Sequence, residues 1–462
     1  MSSGRPARRR RVCGFPIPAL RPIGAGADAG FRPNACQPRD RRFQQGKMRA
    51  AWTAFVIASL FFLFEFVTRV EPSLAAGQIA ASYGLNNAAF GALASLFFWV
   101  YAPMQIVVGL ALDRYGARKF VLLGSLCCAA GVTAFAFVAA PVLGGGARML
   151  TGFGASFAFV AAMWLVNHWF APERFAVLSG TVNAFGMLGT AIGTSQLSSA
   201  ISHYGWRGVF IATGLAGFAL FLAALVLLRE PPSPAQSDDT PPAAHVRDSL
   251  LAVLKRPRVW MIGLLGMLYY MPVNVYGGLW GHSALMATNG LSDTDAGLAV
   301  SMVFWGMAAG SIAGGYISDR LGHRKWIVVV GAALTAVAYA LVLYGYASGL
   351  VVISAALFLA GFFGGFQMLT FAMAKEGLDN SLVGTTVAFV NMVGIAGAMI
   401  FQPLVGQLVD ASHGDYRAAL SCIPVCLGLA TLLALVLDEY RHPDHAPGAR
   451  NAAADHDAAK AA

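Results

Sequence analysis

The sequence predicts an all-α integral membrane protein with twelve transmembrane helices, arranged as two six-helix, pseudo-symmetric bundles. Three observations predict this class: an apolar composition, a series of apolar segments of membrane-spanning length, and a motif that occurs twice. Of the 462 residues, 57% are hydrophobic and 12% are charged, about half the charged share of soluble proteins. Crossing a hydrocarbon core of about 30 Å takes roughly 20 apolar residues in a helix. The bilayer is therefore the expected solvent for most of the chain.

Apolar segments between charged or Pro/Gly-rich breaks set the predicted spans. In the first half they lie near residues 51–76, 88–112, 119–140, 143–169, 175–200 and 206–228. In the second half they lie near residues 259–286, 296–318, 325–347, 350–374, 382–409 and 416–437. Residues 229–257 are polar and rich in proline, which predicts a flexible cytoplasmic linker. The predicted bundles are therefore 48–228 and 258–441.

Both ends of the sequence predict disordered tails, at residues 1–47 and 442–462. The first of these is rich in Arg, Pro and Gly and has no apolar core of the length that a signal peptide needs. Met48 immediately precedes the first apolar segment, which favours Met48 as the native start. The alternative is a translated basic tail in the cytosol that touches anionic lipid.

The charge distribution predicts topology. A net charge of +10 could suit a nucleic-acid-binding protein, but 12 of the 32 Lys and Arg precede Ala50 and most others fall in short loops on one side of the predicted threading. By the positive-inside rule, both termini and the linker are cytoplasmic, in a multi-pass protein of the bacterial inner membrane. We expect a monomer without a nucleic-acid partner.

No nucleotide-binding loop or catalytic constellation appears in the sequence. The six cysteines show neither metal nor disulfide spacing, so packing is their expected role. We therefore expect no enzyme activity, no cofactor and no metal site.

One motif occurs twice, as Gly109-Leu-Ala-Leu-Asp-Arg-Tyr-Gly-Ala-Arg-Lys119 and as Gly315-Tyr-Ile-Ser-Asp-Arg-Leu-Gly-His-Arg-Lys325. Both copies read G-x-x-x-D-R-x-G-x-R-K, and the offset is 315 minus 109, or 206 residues. Asn183 and Asn391 begin a second matched pattern, and both are expected to cross-link helices. Repeats in the same orientation predict halves related by an axis along the membrane normal.

The doubled loop resembles the signature of the major facilitator superfamily, and the resemblance extends from about Met48 to Arg441. The stretches from Glu65 to Ser73 and from Asn391 to Gly406 resemble a bacterial branch akin to the lysosomal dipeptide transporters. The resemblance implies the superfamily's fold. It also implies ion pairs that close the cytoplasmic end in the outward-facing state, with these gate residues: Asp113, Arg114, Arg118, Asp319, Arg320 and Arg324.

Four glycines of the doubled loop have expected roles. Gly109 and Gly315 are expected to permit close approach of helices, while Gly116 and Gly322 permit the tight turn. The alternative for the whole motif is a pair of basic loops that merely fix topology.

Glu65 and Arg69 are the leading candidates for a substrate or coupling site. Each charge near the middle of a span costs roughly 2.5–3.5 kcal/mol on insertion scales, so such residues face a partner or an aqueous cavity. Their spacing of four places them on one helix face. We expect them to contact the charged groups of a polar, zwitterionic solute, with Glu65 also able to accept a proton. The alternative is a permanent structural ion pair.

Five further residues join this candidate site. Arg148 begins an R-x-x-x-G-x-G pattern that resembles one linked with proton coupling in the superfamily; it could equally extend to the membrane interface. In the seventh helix, a Pro/Gly interruption predicts that Asn274, Tyr276 and Trp280 belong to a binding region. The alternative is that the aromatic residues there form a belt at the membrane interface. Gln367 follows three glycines in the tenth helix and faces the cavity or bonds a neighbouring helix.

His282 lies outside this candidate set. It is near a helix end and is expected at a wet interface.

These features together predict a secondary active transporter that uses alternating access. The first, fourth, seventh and tenth helices are expected to line a midplane site for a small polar organic solute or a short peptide, with proton coupling. One alternative is an efflux carrier for metabolites or drugs. The alternative of another class is a non-transporting membrane receptor or scaffold.

Overall fold

The computed structural model describes residues 38–231, 243–378 and 380–438. Every regular element within these ranges is a helix, which confirms the predicted all-α class. Predictions for residues 1–37 and 439–462 lie outside the described residues. The α-helices are numbered α1 to α18 in chain order, and the membrane spans that they form are counted in words.

The first half contains six spans. The first is α1 (Pro38–Val70), a 3₁₀ segment (Glu71–Ala75) and α2 (Ala76–Tyr83). The second and third are α3 (Asn87–Tyr115) and α4 (Ala117–Phe137). The fourth is α5 (Pro141–Ala155) with α6 (Ala158–Trp169). The fifth span consists of α7 (Pro172–Ile192), a π-helical segment (Gly193–Leu197) and the first part of α8 (Ser198–Leu227). The remaining part of α8 forms the sixth span.

The second half follows α9 (Ala243–Leu254), a helix within the linker. The seventh span is α10 (Pro257–Pro272), a π-helical segment (Val273–Trp280) and α11 (Gly281–Asn289). The eighth and ninth are α12 (Asp293–Leu321) and α13 (Arg324–Leu343). The tenth is α14 (Leu350–Gly364), a 3₁₀ segment (Gly365–Met368) and α15 (Leu369–Lys375). The last two are α16 (Asn380–Ala411) and α17 (Tyr416–Leu420) with α18 (Cys422–Val436).

The described residues contain eleven apolar helical segments long enough to cross a membrane, and one of them supplies two spans. This segment, Leu178–Leu227, has 50 residues, about 75 Å at a rise of 1.5 Å per residue and more than twice a hydrocarbon core. Gly205 breaks it with a φ of 74°, a left-handed value that glycine adopts without steric cost. The predicted count of twelve spans is therefore confirmed.

Interruptions of the helix recur at matching places in the two halves. The first and seventh spans are broken at Glu71–Ala75 and Val273–Trp280, each beside a proline. The fourth and tenth spans are broken between Ala155 and Ala158 and at Gly365–Met368. Broken helices leave backbone groups free near the centre of a transporter. They occur in the four spans predicted to line the central site, and a further π-helical segment lies in the fifth span at Gly193–Leu197.

Small residues bring the spans into close contact, again in matched pairs. A side chain at Gly152 of the fourth span would meet the Phe97 carbonyl of the second. A side chain at Gly310 of the eighth span would likewise meet the Phe362 carbonyl of the tenth. Helices in lipid associate through such close backbone packing rather than through the hydrophobic effect. These glycines therefore position the second and eighth spans against the interrupted ones.

The two halves meet mainly where the second span packs on the eleventh and the fifth on the eighth. We call the end that carries Leu228, α9 and the repeated motif the linker end, and the opposite end the far end. At the far end, the Asp410 carboxylate accepts hydrogen bonds from Asn87 N (3.2 Å), Asn87 Nδ2 (2.8 Å) and Ala88 N (2.8 Å). The first turn of α3 in one half is therefore capped by the other half.

At the linker end, the first glycine of each copy of the repeated motif has open space beside it. A Cβ atom built at Gly109 or at Gly315 has no neighbour within 4 Å. The expectation that these two glycines bring helices together is therefore wrong for this conformation, because the space beside them is open. Gly116 and Gly322 do have positive φ values, 79° and 69°, which confirms the predicted turns.

Helical structure also enters two segments that were predicted to be irregular. The predicted linker contains α9, whose Val253 is buried. The predicted disordered tail is helical from Pro38 onward, since proline suits the first turn of a helix and Arg, Gln and Lys are good helix formers.

Candidate functional site

Glu65 and Arg69 form a buried ion pair in the first span. Arg69 Nε donates to Glu65 Oε1 over 3.0 Å, and a second guanidinium N–H donates to the same oxygen. Glu65 is fully buried, and its Oε2 atom has no hydrogen-bond partner among the described residues. The predicted pairing of the two side chains is confirmed. One carboxylate oxygen is left over for another ligand.

Aromatic rings surround the Arg69 guanidinium. Its central carbon lies 4.3 Å from the ring centre of Phe66 and 4.9 Å from that of Tyr101. Phe97 and Phe98 follow at 5.7 and 5.8 Å. Each desolvated cation–π contact contributes about 0.5–2 kcal/mol. The rings therefore stabilise the cation without supplying an anion.

Tyr270 joins this cluster from the seventh span, in the other half. Its phenol interacts with the Arg69 guanidinium, as the Tyr101 phenol does. Arg69 therefore lies where the two halves face each other, which is the position expected of a residue that meets the transported solute.

Arg148 of the fourth span is buried rather than extended to an interface. Its two terminal nitrogens donate to the backbone carbonyls of Thr68 (3.0 Å) and Ala94 (3.5 Å), and its guanidinium lies 5.0 Å from the Phe97 ring centre. Its Nε atom has no partner among the described residues. A second buried cation therefore lies beside the first, and the interfacial alternative for Arg148 is wrong.

Glu71 was not among the predicted site residues. It is fully buried, and its Oε1 atom accepts a hydrogen bond from Thr213 Oγ1 of the sixth span over 2.8 Å. Its Oε2 atom has no partner in the described part of the chain. The signal in the sequence was a third charge in the first span, immediately before Pro72.

The second half contributes amide groups. Positions 266, 270 and 274 of the seventh span share one helix face. On this face, Gly266 lies next to Gln367 and Tyr270 faces Arg69. The Asn274 carbonyl accepts a hydrogen bond from Gln402 Nε2 over 3.0 Å. Asn274 Nδ2, Gln367 Oε1 and Gln402 Oε1 are buried without partners among the described residues. An unpaired buried polar group costs about 1–3 kcal/mol, so these atoms are available to a polar ligand.

Two predicted site residues lie apart from this face. The Tyr276 ring packs against Tyr339 of the ninth span, 5.2 Å away. The Trp280 ring packs on Phe90 of the second span at 5.9 Å, and its Nε1 atom donates to the Gln402 carbonyl. Trp280 therefore contributes to closure between the halves, whereas Tyr276 contacts a supporting span.

The first copy of the repeated motif ties together two helix ends of one half. Arg118 donates through its side chain to the carbonyls of Leu225 and Leu228, at 2.9 and 2.8 Å. Its backbone N–H meets the Glu230 carboxylate at 3.2 and 3.3 Å. Partial burial raises the pKa of Glu230, although these bonds oppose the shift. The start of the third span is thereby fixed to the end of the sixth.

The second copy of the repeated motif likewise connects helix ends within the other half. Arg324 pairs with Glu376 at 2.7 Å, Arg258 reaches the same carboxylate at 3.2 Å, and Lys325 Nζ donates to the Leu435 carbonyl. Arg320 lies over the ring of Tyr316. The side chains of Asp113, Arg114 and Asp319 lie outside the described residues. The role of the whole set as a gate stays a prediction.

A second contact between the halves closes the far end. Ser198 of the fifth span donates to the Asp293 carbonyl (2.8 Å) and carboxylate (3.0 Å) of the eighth, and lies 3.2 Å from His282 Nε2. His282 is 3% exposed, so the expectation of a wet interface is wrong.

Asn391 Nδ2 reaches Gln105 Oε1 at 3.4 Å, which confirms its predicted cross-link. Among the described residues, no three His, Cys, Asp or Glu side chains gather as a metal site would need.

Twelve spans in two matched halves around a buried charge cluster define a membrane transporter of the two-bundle class. The family model of the Major Facilitator Superfamily matches residues 52–283 and 262–460, and the chain belongs to this superfamily. It is a multi-pass membrane protein and a secondary transporter of a small molecule.

Several curated relatives align over most of the chain. Membrane sensor protein UhpC of Salmonella typhimurium is 27% identical, over 86% of this chain and 92% of its own length. The hexuronate transporter of Bacillus subtilis is 25% identical, over 84% and 94%. The probable galactarate/D-glucarate transporter GarP of Escherichia coli is 23% identical, over 84% and 95%.

Solved structures share the fold. A bacterial homolog to the human lysosomal transporter Spinster, in an inward-facing and occupied conformation, aligns with a TM-score of 0.66 and 17% identity, over 83% of this chain and 95% of that one. A D-xylose-proton symporter aligns with a TM-score of 0.66 and 16% identity, over 84% and 98%.

Proposed function

We propose that this chain is a proton-coupled carrier of small organic solutes that bear a carboxylate, and that the solute's carboxylate binds Arg69. The observation that carries the proposal is the buried Arg69 guanidinium, which faces Tyr270 of the other half within a cage of aromatic rings. A guanidinium presents planar, paired donors that match a carboxylate.

The relatives support the same class of solute. Hexuronate, galactarate and D-glucarate, which appear in the names of two of them, are all sugar acids with carboxylate groups. The unpaired amide atoms of Asn274, Gln367 and Gln402 offer hydrogen bonds to the uncharged part of such a solute.

Transport follows from movement of the halves around this site. In the structure the far end is closed by Asp410 and Asp293, and the space beside Gly109 and Gly315 at the linker end is open. Closing the linker end while the far end opens would give the solute access from the other side. We place the linker end in the cytoplasm of a bacterial cell, in a monomer surrounded by lipid of the inner membrane, and we propose no enzyme activity.

A short peptide is the second candidate solute. Glu65 and Arg69 carry opposite charges four residues apart, which suits the two ends of a zwitterion, and the resemblance to the lysosomal dipeptide branch agrees with this reading. A sensor without transport is the third candidate, because one relative is named as a membrane sensor.

Solute counterflow in proteoliposomes tests the proposal. The panel is D-glucuronate, its neutral counterpart D-glucose, and the dipeptide glycyl-alanine. D-glucuronate should exchange at least about tenfold faster than D-glucose, because a site built for a charged group rejects the analogue that lacks it. Arg69→Gln should abolish exchange, and Arg207→Gln, at an exposed position, is the matched control.

Three outcomes would contradict the proposal. Faster exchange of glycyl-alanine would favour the peptide carrier. Equal exchange of D-glucose would exclude a carboxylate site at Arg69. Binding without exchange of any solute would favour the sensor.

A further inference from the structure

We propose that the transported proton is carried by Glu71, and not by Glu65 as the sequence suggested. This inference rests on the proposed proton-coupled function and assigns proton binding to one atom, Oε2 of Glu71. It begins from a difference between two buried carboxylates that lie six residues apart in the first span.

Glu65 is committed to its ion pair. Its Oε1 atom accepts two N–H groups of Arg69. Adding a proton to Glu65 would leave the Arg69 cation buried without its counter-charge, which is strongly unfavourable. Glu65 therefore keeps its charge unless the solute replaces it at Arg69.

Glu71 has no such partner. The hydrogen bond that it accepts comes from Thr213, a neutral hydroxyl. Arg148 is close enough to interact with it, but the bonds of that guanidinium go to the carbonyls of Thr68 and Ala94. A proton can therefore bind to Oε2 of Glu71 without breaking an ion pair, while Thr213 continues to donate to Oε1.

The other charged and titratable groups near this segment are engaged elsewhere or exposed. The 3₁₀ segment Glu71–Ala75 packs against α2, α8, α11 and the two π-helical segments. On these elements, Tyr83 donates to two backbone carbonyls, Tyr276 packs on Tyr339, and His282 bonds Ser198 and Asp293. Exposed groups on α8 complete the set: His203, Tyr204 and Arg207.

The position of Glu71 links the proton to the movement of the halves. It begins the break in the first span, and that break packs against the broken part of the seventh span in the other half. When the far end opens, water can deliver a proton to Oε2, forming an O–H bond on a neutral acid. In the structure, which is closed at the far end, Oε2 is buried. Further movement of the halves that admits water from the linker end would break the same O–H bond, pass the proton to that water and leave the carboxylate.

The first test needs no solute. Infrared difference spectra of the purified carrier in lipid, recorded during a pH titration, detect the C=O stretch of protonated carboxyl groups. A band that titrates in the wild type should disappear in Glu71→Gln and persist in Glu65→Gln. Asp248→Asn, at an exposed position on α9, is the matched acid-to-amide control. Persistence of the band in Glu71→Gln would overturn the inference.

The second test measures coupling with D-glucuronate as the probe. In Glu71→Gln, accumulation driven by a pH gradient should fall at least about tenfold more than counterflow exchange does, a difference of roughly 1.4 kcal/mol in the driving step. Equal loss of both activities, with the protein still folded, would contradict the inference. If the wild type carries no D-glucuronate, the proposed function fails for this solute, whereas the infrared test of Glu71 remains decisive.

Discussion

Opening of the far end should depend on Asp410, one of the two carboxylates that join the halves there; the other is Asp293. Asp410 accepts three hydrogen bonds from the first turn of α3 in the opposite half. A carboxylate at a helix N-terminus contributes about 0.3–1 kcal/mol at exposed sites and up to about 2 kcal/mol when partly buried. Asp410→Asn removes the charge and one accepting oxygen, and keeps the size of the side chain. Since Asp410 is partly buried, we expect a loss of about 1–2 kcal/mol.

These bonds join the two halves, so the loss should appear as a change in conformational equilibrium. A cost of about 1–2 kcal/mol changes the ratio of far-end-open to far-end-closed molecules roughly five- to thirtyfold. Spin labels at two exposed positions of opposite halves, Tyr204 and Tyr346, report that ratio by electron–electron distance measurements in a cysteine-free background.

The control is a carboxylate with the same chemistry but no role between the halves. Asp415 accepts from the N–H groups of Arg417 and Ala418 at the start of its own helix, α17. Asp415→Asn should leave the distance distribution unchanged. An unchanged distribution in Asp410→Asn, or an equal shift in both variants, would refute the assignment of Asp410 to the closure.

Three further predictions, which use four substitutions, test packing and the helix ends. Gly310→Val would force a side chain into the backbone of the tenth span and should cost about 1–3 kcal/mol of stability in thermal unfolding; Gly315→Val, with open space beside it, should cost far less. Arg324→Gln breaks a partly exposed pair with Glu376 and should lower the free energy of unfolding by no more than about 1 kcal/mol. Partial burial raises the pKa of Glu230. The folded protein therefore binds a proton at the Glu230 carboxylate more tightly than the unfolded chain does. As the pH rises through that pKa, the wild type should lose stability relative to Glu230→Gln. A pH-independent difference in unfolding temperature would contradict this sign.

The spans were predictable because each one is a local property of the sequence. Apolar length alone located all twelve, even where the fifth and sixth form one apolar segment that is broken only at Gly205. The doubled motif placed its turn glycines correctly, since a positive φ at Gly116 and Gly322 is also a local requirement. The linker was predicted to be flexible, and the part of it that forms α9 buries Val253, a packing contact that a local polar composition does not report.

The candidate site was predictable only in part. Glu65 and Arg69 pair through a spacing of four residues, which a sequence shows directly. Glu71 meets Thr213 across 142 residues of chain, and no local pattern reports such a contact. Tyr276 has the composition of a site residue, yet the helix turns its ring towards Tyr339.

The expected roles of Gly109 and Gly315 failed for a different reason. In this conformation, which is closed at the far end, both glycines have open space beside them. A sequence describes every conformation at once, whereas the structure shows one that is closed at the far end.

Accumulation of D-glucuronate by purified carrier in liposomes, under an imposed pH gradient, measures coupled transport of a carboxylate directly. With the acidic side outside, the internal concentration should rise above the external one, reverse with the gradient, and collapse when a protonophore is added. Entry that stops at equal concentrations, or that ignores the direction of the gradient, would contradict coupled carriage through the site at Arg69.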